Sequence, residues 1–88
     1  MPSITLTDAW KKTLLTSQQG ELDAVLMYTA LAKAVKDPHD AETFRALSAE
    51  EGGHAAVFKA LTQETLKPRH TKAILLPLLY PFFNSASN

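Results

Sequence analysis

Proline placement constrains this chain more than any other feature. Prolines fall at positions 2, 38, 68, 77 and 81, leaving two long stretches free of the strongest helix breaker. From Asp8 to about Lys36 there is also only one glycine, and Trp10, Leu14, Ala24, Tyr28, Leu31 and Val35 recur at helical spacing. Thr5 and Thr7 are both candidate N-caps, and Asp8 suits the positive end of a first turn. Asp37-Pro38 then reads as an N-cap followed by proline at the first helical position. The second helix is predicted from about Pro38 to Leu66, closing at Lys67-Pro68. So short a connection makes the two helices antiparallel neighbours, an αα-hairpin spanning 8–66.

Beyond Pro68 the character changes. Arg69, His70 and Lys72 lead into an apolar run, Ala73 to Phe83, which Pro77 and Pro81 interrupt, and Asn84 to Asn88 read as a polar tail. The run is about half the length needed to cross a bilayer. The segment 69–83 is predicted to be a short broken helix packing on a bundle end or on a partner. Interfacial membrane attachment, with the basic residues near headgroups, is the minority reading.

Composition narrows the function classes. The 88 residues contain no cysteine, which excludes disulfides, thiolate-held zinc, iron–sulfur clusters and thiol nucleophiles. Nine basic against nine acidic side chains leave no electrostatic footprint for nucleic acid. The N-terminus shows neither the basic nor the apolar region of a signal peptide, so a cytoplasmic location is expected. A single domain of this size buries only about 60–65% of its unfolded surface, and a metal or a second subunit is the expected help.

Each helix carries an apolar seam that turns polar near its middle. The first runs Trp10, Leu14, Ser17, Glu21, Ala24, Tyr28, Leu31, Val35, and the second Phe44, Leu47, Glu51, His54, Phe58, Leu61. Glu51 and His54, three apart, share one helix face. A buried ionised carboxylate costs several kcal/mol unless it is protonated, paired with a cation or bound to a metal. Neither seam supplies a Lys or Arg, so a metal is the simplest neutraliser. Glu21 lies about sixteen residues before the Asp37-Pro38 turn and Glu51 about fourteen after it. At about 1.5 Å per residue both stand roughly 20–24 Å from the turn, so the hairpin brings them level. Two hairpins would then offer a Glu from each of two helices and a Glu-x-x-His from each of the other two, the di-iron four-helix-bundle set. Gly20 precedes Glu21, and Gly52-Gly53 separates Glu51 from His54. Each glycine costs about 1 kcal/mol against Ala in a helix, which suggests close helix approach or a π-bulge there; a helix broken at Gly52-Gly53 is the competing expectation.

The segment Gly20-Glu21-Leu22-Asp23-Ala24-Val25-Leu26-Met27-Tyr28-Thr29-Ala30-Leu31-Ala32 resembles the first iron-ligand helix of rubrerythrin-like proteins, where a Glu is followed two turns later by a Tyr. Leu47-Ser48-Ala49-Glu50-Glu51-Gly52-Gly53-His54-Ala55 resembles their paired Glu-x-x-His helix. The similarity covers roughly residues 8 to 64. A full rubrerythrin-like domain carries two such helix pairs and this chain carries one, so in organisation it is similar to the short encapsulated ferritin-like proteins, whose di-iron site forms between subunits. Those members carry a cargo peptide for a protein shell, which is not recognisable in the tail here. The cysteine-ligated rubredoxin module of full rubrerythrins is also absent.

The resemblance implies that Glu21, Glu51 and His54 are iron ligands, with Glu51 bridging the irons and Tyr28 a nearby donor or redox residue. Glu50 lies off the seam and reads as a solvated surface residue, with shepherding of incoming iron as the sharper alternative. His39 and Asp40 are expected to be exposed, Trp10, Phe44, Phe58 and Leu61 to be packing residues, and His70 to have no metal role. The resulting expectation is an all-α half-domain over 1–88, dimerising into a ferritin-like four-helix bundle or a higher homo-oligomer. It would oxidise Fe²⁺ with O₂ or peroxide, as a ferroxidase or rubrerythrin-like oxidoreductase, with Zn²⁺ or Mn²⁺ able to occupy the same ligands. The competing expectation is a non-catalytic dimerisation module in which Glu21, Glu51 and His54 form a buried polar layer. A third is a half-domain that pairs with a different chain.

Overall fold

The structure, a computed structural model, describes residues 6–87, with side chains as far as residue 80. Among these residues there are three helices and no strand: α1 (Asp8–Ala34), α2 (Pro38–Thr62) and α3 (Thr71–Ser87). Thr7 is the N-cap of α1, its Oγ1 accepting the Trp10 N–H at 3.3 Å. The alternative cap, Thr5, lies outside the described residues. The helix ends at Ala34, two residues short of the expected end near Lys36. Val35 is already extended, and Asp37 is extended as the residue before a proline must usually be. Asp37 then caps α2, its Oδ1 accepting from His39 N at 2.7 Å and Asp40 N at 3.2 Å.

The predicted hairpin forms, but α2 stops at Thr62 rather than Leu66. Gln63 adopts the left-handed conformation at φ 57° and its N–H returns to Lys59 O, the usual way a helix closes its last turn. Buried Gln18 of α1 holds this end. Its Oε1 accepts the Thr62 hydroxyl at 2.6 Å and its Nε2 donates to Glu64 O at 2.8 Å. Lys11 Nζ reaches Glu64 Oε1 at 3.2 Å alongside.

Residues 63–70 turn back along α1, where Gln19 Nε2 donates to Lys67 O at 2.8 Å and Asp23 takes the backbone and guanidinium of Arg69. α3 starts beside the middle of α1 and runs in the same direction as α1, toward the hairpin turn. There Tyr80 Oη donates to Asp40 Oδ2 at 3.2 Å, and its ring meets Phe44 edge-on at 5.6 Å. Two expectations are corrected here. The C-terminal segment is one unbroken helix through Pro77 and Pro81, and it packs along α1 rather than on the end of the bundle. Each proline removes a backbone donor, but Ala73, Leu76, Pro77 and Tyr80 are half-buried on the inner face, and this packing holds the helix together. Asp40 is half-buried as Tyr80's acceptor, whereas His39 is exposed as expected.

The result is a rod, 51 × 22 × 20 Å, with a thin core. Among the described residues the buried apolar ones are Leu31, Ala32, Ala41 and Ala55. Phe44, Phe58 and Leu61 are half-buried, and Trp10, expected to pack, is 63% exposed. A two-helix layer with a third helix packed along α1 encloses too little volume to bury both seams. Among the described residues no helix is long and apolar enough to cross a membrane.

Candidate metal centre

The hairpin brings three sequence-separated groups together. Glu21 comes from the middle of α1, and Glu51 and His54 come from adjacent turns of α2. Each offers a ligand atom within 4.8 Å of the others. His54 Nδ1 stands 3.5 Å from Glu21 Oε2 and 3.7 Å from Glu51 Oε1. Both carboxylate side chains are 23% exposed and the imidazole is 52% exposed, so the cluster sits on one open face of the hairpin.

Electrostatically the cluster is unfinished. Glu21 Oε2 is buried and accepts no hydrogen bond, a condition that costs about 1–3 kcal/mol or more for a charged acceptor. The hydrogen bond to Glu21, then burial, then the Glu21 charge push the Glu51 carboxyl above its ordinary value, against the opposing pull of His54. No Lys or Arg pairs with either carboxylate among the described residues, and their ion-pair neighbour is His54. Two carboxylates, one imidazole and an orphaned oxygen on a shared face suit a hard to borderline divalent cation. The three side chains therefore pass the chemical test for a metal site.

Gly20, Gly52 and Gly53 do not act as expected within the chain. α2 is regular through Gly52-Gly53, so the helix neither breaks nor bulges. A Cβ at Gly20 or Gly53 would meet no atom within 4 Å, and one at Gly52 would lie 3.9 Å from Val25 Cγ2, an ordinary contact. Across the hairpin, Ser48 Oγ donates to Val25 O at 3.0 Å and lies 2.8 Å from Thr29 Oγ1.

This geometry gives the sequence similarity a physical basis. The sequence model of the family described as Rubrerythrin matches residues 12–75, which contain all three clustered side chains. The chain belongs to the rubrerythrin family. No curated protein and no solved structure matches it. The matched span covers both hairpin helices, the returning linker and the start of α3, so the rubrerythrin similarity includes the elements that carry Glu21, Glu51 and His54.

The other residues singled out from sequence stand outside this cluster. Tyr28, two turns beyond Glu21, stacks on Phe44 with ring centroids 6.1 Å apart. Glu50 is exposed and is not one of the clustered side chains. His70 is exposed at the start of α3, where its carbonyl accepts the Ile74 N–H.

Seam reasoning missed Asp23. Its side chain is 4% exposed. Its Oδ1 accepts from Arg69 N at 2.7 Å and Gln19 Nε2 at 2.9 Å, and its Oδ2 accepts from Arg69 Nε at 2.8 Å. Burial pushes its carboxyl up, but the Arg69 backbone N–H, the guanidinium and the Gln19 amide outweigh this and hold it below its usual value. The available signal was that Asp23 is the one charged residue between Glu21 and Lys33.

Proposed function

We propose that this chain supplies half of a di-iron site, completed by a second copy, and that the pair oxidises Fe²⁺ with O₂ or peroxide. The observation that carries this reading is the convergence of Glu21, Glu51 and His54 around a buried carboxylate oxygen that accepts no hydrogen bond. One chain offers two carboxylates and one imidazole, too few to enclose two irons; two copies double the set and match the family's four-carboxylate, two-imidazole arrangement. The 63% exposure of Trp10 and 60% of Val57 leave apolar surface for a second hairpin to cover. Assembly beyond a dimer, including packaging inside a protein shell, extends the same proposal.

In this reading Glu21 and Glu51 would hold the cations. His54 would contribute an imidazole nitrogen and, being half-exposed, borders the route of entry. Tyr28, stacked on Phe44 two turns toward the hairpin turn, would be the nearby donor or redox residue. Iron bound there supplies one-electron steps between its two oxidation states, which Zn²⁺ in the same ligands would not. The raised Glu51 also permits a second reading, a metal-free polar layer in which the carboxyl groups share a proton.

Anaerobic Fe²⁺ loading, followed by size exclusion with light scattering and elemental analysis, separates the two. About two irons per dimer, with association strengthened by iron, supports the di-iron reading. A dimer without iron and indifferent to chelator supports the polar layer. Substitution Glu51→Ala should abolish paired-metal binding, and retention of two irons per dimer would overturn the ligand assignment.

A further inference from the structure

Over its described side chains, as far as residue 80, α3 has two apolar faces, and one of them packs inward. Ala73, Leu76, Pro77 and Tyr80 turn inward and are half-buried. Ile74, Leu75, Leu78 and Leu79 are 60, 52, 66 and 44% exposed. At about 100° per residue these four form a single stripe over two turns, opposite the inner face. A stripe of this kind is the sort of contiguous apolar patch that marks a docking surface rather than scattered exposed leucines.

Charge identifies the occupant. From Thr65 to Asn88 the sequence contains no acidic residue, and Lys67, Arg69, His70 and Lys72 cluster where α3 begins. Arg69 is engaged by Asp23, which leaves Lys67 and Lys72 exposed with no carboxylate paired to them among the described residues. Lys72 shares the outward face, since it lies three residues before Leu75. Apolar side chains flanked by lysines, with acids absent, complement an anionic bilayer surface: the leucines enter the headgroup–acyl boundary and the ammonium groups remain at the phosphates. The helix is about 25 Å long and does not qualify to cross a bilayer, so it would lie in the surface plane.

We propose that the outward face of α3 docks the protein on an anionic lipid surface through Ile74, Leu75, Leu78 and Leu79, with Lys67 and Lys72 facing the lipid phosphates. Docking is independent of metal, because the face contains none of the three clustered side chains. Co-sedimentation with phosphatidylcholine vesicles, with and without about one-third phosphatidylglycerol, tests it. Two unpaired lysines predict about thirtyfold tighter binding to the anionic vesicles, weakening as salt is raised. The double variant Leu75→Gln/Leu78→Gln should abolish binding, and Lys72→Glu should weaken it at least severalfold while keeping the apolar stripe. Circular dichroism should be unchanged in both, since the altered side chains point away from α1. If the leucine variant loses helicity, Lys72→Glu alone decides the outcome. Equal binding to both vesicle types, or none to either, would overturn the proposal. So would a fall in solution mass of the leucine variant without vesicles, which would mean that a second copy covers the stripe.

Discussion

Replacing Asp23 by Ala tests the claim that the C-terminal third of the chain is tied to α1 through one buried carboxylate. The substitution removes the acceptor of two hydrogen bonds from Arg69, at 2.7 and 2.8 Å, and one from Gln19, at 2.9 Å. It also ends the 2.7 Å ion pair with the Arg69 guanidinium. Breaking a fully buried pair costs about 3–5 kcal/mol, mostly because the surviving charge is stranded. Here the surviving Arg69 side chain is 69% exposed and can be rehydrated, so about 2–3 kcal/mol is the reasoned loss. For a domain of this size that lowers Tm by about 10–20 °C, read by circular dichroism at one fixed protein concentration. Arg69→Ala should cost less, since the backbone N–H and Gln19 keep their acceptor, and the double variant should fall short of the sum of the two. The acid limb gives a second readout. Asp23 is held below its usual 3.8 in the fold, so its contribution is complete above that value and is lost as pH falls through the folded pKa. Wild type and Asp23→Asn should therefore differ at neutral pH and converge in strong acid. A loss under about 0.5 kcal/mol for Asp23→Ala, the range of an ordinary surface substitution, would refute the reasoning.

Other outcomes follow from the same contacts. Glu51 is raised above its usual 4.5, so its contribution is present below that value and is lost as pH rises through the folded pKa; in metal-free protein, urea titrations should show this slope for wild type and a flatter one for Glu51→Gln. Gly20→Ala and Gly53→Ala should each stabilise the chain by about 0.5–1 kcal/mol, because the new methyl meets no atom within 4 Å. If either destabilises it, or lowers the solution mass, a second subunit fills that space. Tyr80→Phe removes the 3.2 Å bond to Asp40 and should cost about 0.5–1.5 kcal/mol, with faster amide exchange in α3 than in α2.

The hairpin and its cluster were legible because both obey local rules. Asp37-Pro38 carries the signature of a helix start, and Asp37 makes the two cap bonds that signature implies. Helical rise alone placed Glu21 level with Glu51, and the side chains of Glu21, Glu51 and His54 meet. What escaped the sequence depends on tertiary partners. No Gly or Asn marks the end of α2; Gln63 turns left-handed beside the Gln18 side chain, which captures Thr62 and Glu64 from the facing helix. Two prolines argue against a continuous α3 until the apolar wall of α1 is there to support it. Asp23 and Arg69 are 46 residues apart, a distance over which charge patterning says nothing.

The returning linker also sets the order in which the molecule assembles. Contacts near the hairpin turn are local, and Thr29 meets Ser48 across only 19 residues. Gln18 to Glu64, Gln19 to Lys67 and Asp23 to Arg69 each span 46 to 48. Closing the longer loops costs about 0.8 kcal/mol more in chain entropy, so the hairpin zips outward from Asp37-Pro38 before residues 63–70 fasten behind it. The polar cluster is thus assembled by the fast, local step, while α3 is mounted afterwards and is the first element to come away under stress.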